Sequence, residues 1–124
     1  MDWKTLNAFD FSKKIYRKPE VQKKYEGEMN KYLNYEKYIL NKFLNNKLYN
    51  LQPNTYPYDL QPNIKHCVLW LNPIINKDIL YKKKFIEGIL KSYIPNKEFI
   101  FYMNSQKNKS IKQIPHYHVF IKMN

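Results

Sequence analysis

Pro115-His116-Tyr117-His118-Val119-Phe120-Ile121, near the C-terminus, is the stretch on which the fold turns. It reads as a β-strand over 115–122. Side chains alternate faces along a strand, so His116 and His118 point the same way. The third and last histidine, His66, opens another apolar run, His66-Cys67-Val68-Leu69-Trp70-Leu71, within a strand expected over 64–71. If the two strands pair with their histidine faces matched, all three imidazoles meet. Imidazole changes charge near neutrality, attacks phosphorus and holds metals. His118, His116 and His66 are therefore the candidate catalytic residues.

Working outward, the chain between these strands carries a helix of about 79–93, capped by Asp78, with Ile79, Leu80, Phe85, Ile86, Ile89 and Leu90 as its apolar set. A strand over 98–103 follows. A polar loop from Asn104 to Gln113 then leads into His116. Its length of about ten residues suits an antiparallel connection, and its Lys107, Lys109 and Lys112 make it a candidate anion site. Upstream, residues 50–63 hold three prolines and are expected as a loop pinned by Tyr56 and Tyr58. Before it, apolar residues recur at three and four from Val21 to Leu44, which predicts one long amphipathic helix over 19–46, started by Pro19 and ended at Asn45-Asn46. Trp3 to Phe11 forms a short helix with Trp3, Leu6 and either Phe9 or Ala8 inward. The result is an α+β protein: N-terminal helices plus a small antiparallel sheet with one crossing helix. It is read as a single domain over 1–124, with a helical region over 1–49, the Pro/Tyr loop over 50–63 and a strand-helix-strand-loop-strand region over 64–124.

At 124 residues the chain is of single-domain size, and its 44% hydrophobic and 17% aromatic content, with twelve Tyr, argues against disorder. No apolar run approaches the ~20 residues of a membrane span. The first twenty residues lack a signal-peptide core, so an intracellular, cytoplasmic location is expected. The lone Cys67 excludes an internal disulfide, suits a reducing compartment and reads as core packing. The net charge is +12, and residues 63–124, which hold all three histidines, carry eleven Lys against three acids. Such a field favours a nucleotide, another phosphorylated small molecule or a nucleic acid as partner. Only one of the twenty-two basic residues is Arg, and Lys, Asn, Ile and Tyr make up 61 residues. Codon bias of an AT-rich genome, such as that of a large DNA virus or a protist, accounts for such a composition equally well. A viral protein would act in the cytoplasm of an infected host cell.

Two resemblances are carried by these residues. Arg17-x-Pro19, Asn54-Thr-Tyr-Pro57-Tyr58-Asp59, Ile64-Lys-His66-x-Val68-x-Trp70, Ser110-Ile111 and His116-x-His118-Val119 together resemble the uncharacterised family typified by the fungal N-acetylglucosamine-induced proteins. That likeness spans nearly the whole chain and implies little about activity. Over 64–121 the layout is also similar to the histidine-triad nucleotide hydrolases and transferases. This second likeness implies that His118 is a nucleophile at the α-phosphorus, with His116 and His66 in support. It further implies that Asn104 and Ser110 contact ribose or phosphate. Phe120 stands where the triad has its third His, and the phosphate loop has no Gly.

Four readings follow. The leading one is a nucleotide-binding protein, acting as a hydrolase, phosphodiesterase or nucleotidyltransferase through a histidine nucleophile and needing no cofactor. Its substrate contacts would be Asn104, Ser110, Lys107, Lys109, Lys112 and Trp70. A second is a zinc site made of His66, His116 and His118, with Asp59 the nearest acid for a fourth ligand. A third is a basic, non-enzymatic nucleic-acid binder whose tyrosines stack on bases. In the fourth, the histidines are structural, half-buried and hydrogen-bonded beside Trp70. Histidine-triad proteins often dimerise, so a homodimer is expected alongside the leading reading.

Overall fold

The computed structural model describes residues 1–31, 35–104 and 114–123, with residues 30 and 31 described through their backbone alone. The protein is α+β, with five helices and a four-stranded antiparallel sheet among these residues. The helices are α1 (Trp3–Asn7), α2 (Pro19–Lys31), α3 (Tyr35–Phe43), α4 (Lys77–Leu80) and α5 (Lys83–Tyr93). The strands are β1 (Tyr49–Pro53), β2 (Ile64–Leu71), β3 (Phe99–Tyr102) and β4 (His116–Lys122), in the spatial order β1-β2-β4-β3.

The two histidine strands are the central pair. In the β2–β4 ladder His66 lies opposite Phe120, Val68 opposite His118 and Trp70 opposite His116. Residues directly opposite share a face, so the histidine faces are matched, the condition under which the three imidazoles meet. The alternate residues Cys67, Leu69, Leu71, Tyr117, Val119 and Ile121 form the other face and pack against Leu80, Ile86, Ile89 and Leu90 of α4 and α5. Cys67 belongs to this core, and burial pushes its thiol up. On the histidine face, Leu6 and Ile15 of the N-terminal segment pack with Tyr58, Tyr102 and Phe120. Ile39 and Leu44 of the α3 region pack with Val68, Trp70 and Ile114. Helical or irregular chain thus covers both faces, which is why β2 is buried at nearly every position. Each fully buried Leu or Ile contributes roughly 2 kcal/mol of hydrophobic stabilisation.

Four expectations about elements need correction. The segment 50–63 is not all loop, because β1 occupies Tyr49–Pro53 and pairs with β2, Leu51 opposite Leu69. Pro53 sits at the end of an edge strand, where its missing N–H costs no ladder bond. The helix expected over 19–46 is described as α2 and α3, with residues 32–34 outside the described set. α3 ends at Phe43, short of the expected end at Asn45-Asn46, and Asn46, with φ of 60°, reverses the chain beyond it. The helix expected over 79–93 is two, α4 and α5, and the cap is Asn76, whose Oδ1 accepts the Asp78 N–H at 2.8 Å. The helix expected over residues 3–11 stops at Asn7, and Phe9 rather than Ala8 joins the core.

Candidate functional site

Buried Asn50 positions the helical cover over the sheet. Its Nδ2 donates to the Phe43 carbonyl at the end of α3 (2.7 Å), and its Oδ1 accepts from Gln52 (2.9 Å). Phe43 then stacks on Trp70 with centroids 6.0 Å apart, and Trp70 packs on His116 at 5.0 Å. Between this cover and the sheet lies a cavity of about 250 Å³. Val68, Trp70, His116 and His118 form its floor, with Asn104 beside them. Tyr25, Tyr35, Tyr38 and Phe43 of the helices and Tyr56 and Tyr58 of the loop make aromatic walls. Lys14, Arg17 and Lys42 bring positive charge.

The histidine protons can be placed from their partners. The backbone N–H of Tyr58 donates to His66 Nδ1 (3.1 Å), so neutral His66 must carry its proton on Nε2. That nitrogen lies 2.9 Å from His118 Nδ1 and donates to it. His118 is thereby protonated on Nε2, which points at the Tyr58 hydroxyl (3.3 Å) and the Asn104 amide (3.2 Å). Asn104 accepts this proton when its amide presents Oδ1, a 180° turn that leaves the side-chain shape unchanged. Tyr58 therefore touches both ends of the His66–His118 pair. His116 is set the other way: its Nδ1–H donates to the Ile114 carbonyl (2.8 Å), which leaves the lone pair on Nε2.

Electrostatics agree with neutral rings. Burial, aided by the nearby Arg17 charge, pushes His66 down to about 3. Burial first, then the charges of His66, His116 and Arg17, hold His118 well below the ordinary histidine value. Burial also raises the hydroxyl of Tyr102, which bonds to Tyr58. Tyr35, at the cavity wall, is pushed up to about 12 by burial and by its neighbours Tyr56, Tyr25, Tyr38 and Glu28.

Arg17 is held rigidly. Its Nε donates to the Tyr56 carbonyl (2.6 Å) and its Nη1 to Gln22 Oε1 (3.2 Å). Its guanidinium carbon lies 4.1 Å from the centroid of Tyr25 and 5.3 Å from that of Tyr58. A planar, forked cation suits this geometry and an ammonium does not.

Of the residues singled out from sequence, His116, His118, Trp70 and Asn104 line the cavity together. His66 stands behind His118 and orients it rather than facing the cavity. Ser110, Lys107, Lys109 and Lys112 lie outside the described residues. Arg17, Tyr58, Glu28 and the tyrosines of α2 and α3 were missed as site residues. The one available signal was that Arg17 is the sole arginine among twenty-two basic residues. Among the described residues, no group of three or more His, Cys, Asp or Glu side chains is placed to hold a metal. The direct His66–His118 hydrogen bond occupies the space a shared ion would need.

The family described as "Protein of unknown function (DUF3605)" matches residues 4–122. The chain belongs to that family. Curated proteins give no match. Among solved structures, one titled "Crystal Structure of HTC1" is similar to this DUF3605 protein, with a TM-score of 0.68 at 17% identity, over 99% of this chain and 85% of that one. At this identity the likeness is one of fold. Among the described residues, no helix is long and apolar enough to cross a membrane.

Proposed function

We propose that this DUF3605 protein binds a nucleotide or a related phosphorylated small molecule in the cavity above His116 and His118. The observation that carries the reading is Arg17. In a chain that otherwise uses lysine, the single guanidinium is clamped at the cavity wall, between a tyrosine face and two acceptors. Two of its N–H groups are spent on holding it still, and others remain to grip phosphate oxygens. Lys14 and Lys42 supply further positive charge, and the tyrosines, Phe43 and Trp70 supply faces on which a base can stack. Fixed donors and rigid aromatic walls reduce the ordering cost of binding.

The sequence likeness to histidine-triad enzymes supports the same ligand class, and the likeness to the N-acetylglucosamine-induced proteins adds no ligand of its own. Nucleophilic attack by His118 falls outside the proposal. Both of its ring nitrogens are engaged, and attack needs a free lone pair aimed at phosphorus. The test is calorimetric titration of the metal-stripped protein with nucleoside mono- and diphosphates and sugar phosphates, repeated on Arg17→Lys. Saturable binding of at least one nucleotide, weakened in the variant, supports the reading. Absence of binding across the panel removes it. Mass spectrometry of the same mixtures reports any turnover.

A further inference from the structure

Glu28 is, among the described residues, the one acid lining the cavity. It shares that lining with Tyr35 and Tyr56. No ion pair among the described residues joins it to Lys14 or Arg17, although all three line one cavity of about 250 Å³. The cavity of this protein, whose net charge is +12, thus presents one half-buried carboxylate and a clamped guanidinium, a lining that suits a ligand using both signs. Phosphate alone has no use for Glu28 and is repelled by it. A ligand that is anionic at one end and rich in N–H donors at the other satisfies both.

Size narrows the class further. At about 250 Å³ this cavity lies just below the ~300–1,000 Å³ common for small-molecule pockets and suits one nucleoside phosphate rather than a dinucleotide. Among the bases, guanine presents two adjacent donors, N1–H and N2–H, on one edge, a spacing that matches the two oxygens of a carboxylate. Adenine, cytosine and uracil present no two adjacent donors there. We propose that the occupant is a guanine nucleoside monophosphate, stacked between the cavity's aromatic walls, with its N1–H and N2–H on Glu28 and its phosphate on Arg17. This rests on the nucleotide-binding reading above and adds the base that is selected.

The experiment compares GMP, XMP and AMP by calorimetry on the wild type and on Glu28→Gln. Xanthine replaces the N2 amino group with a carbonyl, which faces the carboxylate with an acceptor. The wild type is expected to prefer GMP over both competitors by roughly 10- to 100-fold, the worth of charged hydrogen bonds gained or left unmade. Glu28→Gln is expected to abolish the preference for GMP over AMP, while AMP, relieved of a like charge in the cavity, still binds and so reports a folded protein. Equal affinities in the wild type, or a GMP preference that survives in the variant, overturn the assignment to Glu28 and leave nucleotide binding standing. Failure of all three nucleotides to bind the wild type overturns both.

Discussion

His66 donates from Nε2 to Nδ1 of His118 across 2.9 Å, between two strands whose pairing places His66 opposite Phe120 and His118 opposite Val68. The contact is therefore diagonal across the ladder, and both rings are buried. A diagonal pair of neutral imidazoles, one donating and one accepting, is compatible with a dry interior. A charged pair is not.

Acid should unfold this protein early. Free histidine titrates near 6.5, whereas burial brings His66 down to about 3 and His118 well below its usual value. Below about pH 6.5 the unfolded chain takes up protons that the folded chain refuses, so stability is full above that pH and falls beneath it. His66 contributes a loss of about 1.4 kcal/mol per pH unit, roughly 2 kcal/mol by pH 5, and His118 adds a loss of the same sign. The exposed Asp2 and Asp10, also lowered, add their losses only nearer pH 4. Urea unfolding at pH 7.5 and pH 5 measures this, and equal midpoints would rule out a neutral buried pair.

The tautomers are open to direct observation. Long-range proton–nitrogen correlation spectra at pH 7.5 should show His66 and His118 protonated on Nε2 and His116 on Nδ1, as their acceptors Ile114 O and His118 Nδ1 require. Three rings of one tautomer would contradict the hydrogen-bond chain.

Arg17→Lys should behave as a drastic change. The ammonium cannot reproduce the bonds to Tyr56 O and Gln22 together with the stack on Tyr25. Affinity for a phosphorylated ligand should fall roughly 10- to 100-fold, with a smaller change in melting temperature. A variant that binds like the wild type would show that the clamp serves only to hold the 53–58 loop.

A histidine at position 120, where the histidine-triad likeness leads one to expect it, should do harm. Phe120 is fully buried, with its ring 4.9 Å from His66 and packed among Leu6, Ile15, Tyr58 and Tyr102. Phe120→His would place a polar ring in that cluster and should cost about 2–4 kcal/mol. Denaturant unfolding gives the value, and a variant of wild-type stability would mean the site tolerates a third imidazole.

Much of this was legible in the chain itself, for local reasons. The period-two run His116-Tyr117-His118-Val119-Phe120-Ile121 and the run from His66 to Leu71 specified two strands and the faces of their histidines. The three-and-four spacing of Ile86, Ile89 and Leu90 specified the face of α5 that covers the opposite side of the sheet. β1 escaped notice because five residues ending in proline have no periodicity of their own. They become a strand because β2 offers them an edge.

The cavity could not be read along the chain, because its walls come from segments far apart in sequence. Arg17 meets Tyr56 across thirty-nine positions, and Tyr58 meets His118 across sixty. Sequence determined the two histidine strands and which strand face each histidine occupies, since those depend on neighbours along the backbone. Only tertiary packing decided that His66 stands behind His118, that a backbone N–H of Tyr58 sets their protons, and that the lone arginine faces the same cavity as His116. Those outcomes depend on which surfaces are buried together, and burial is a property of the whole fold.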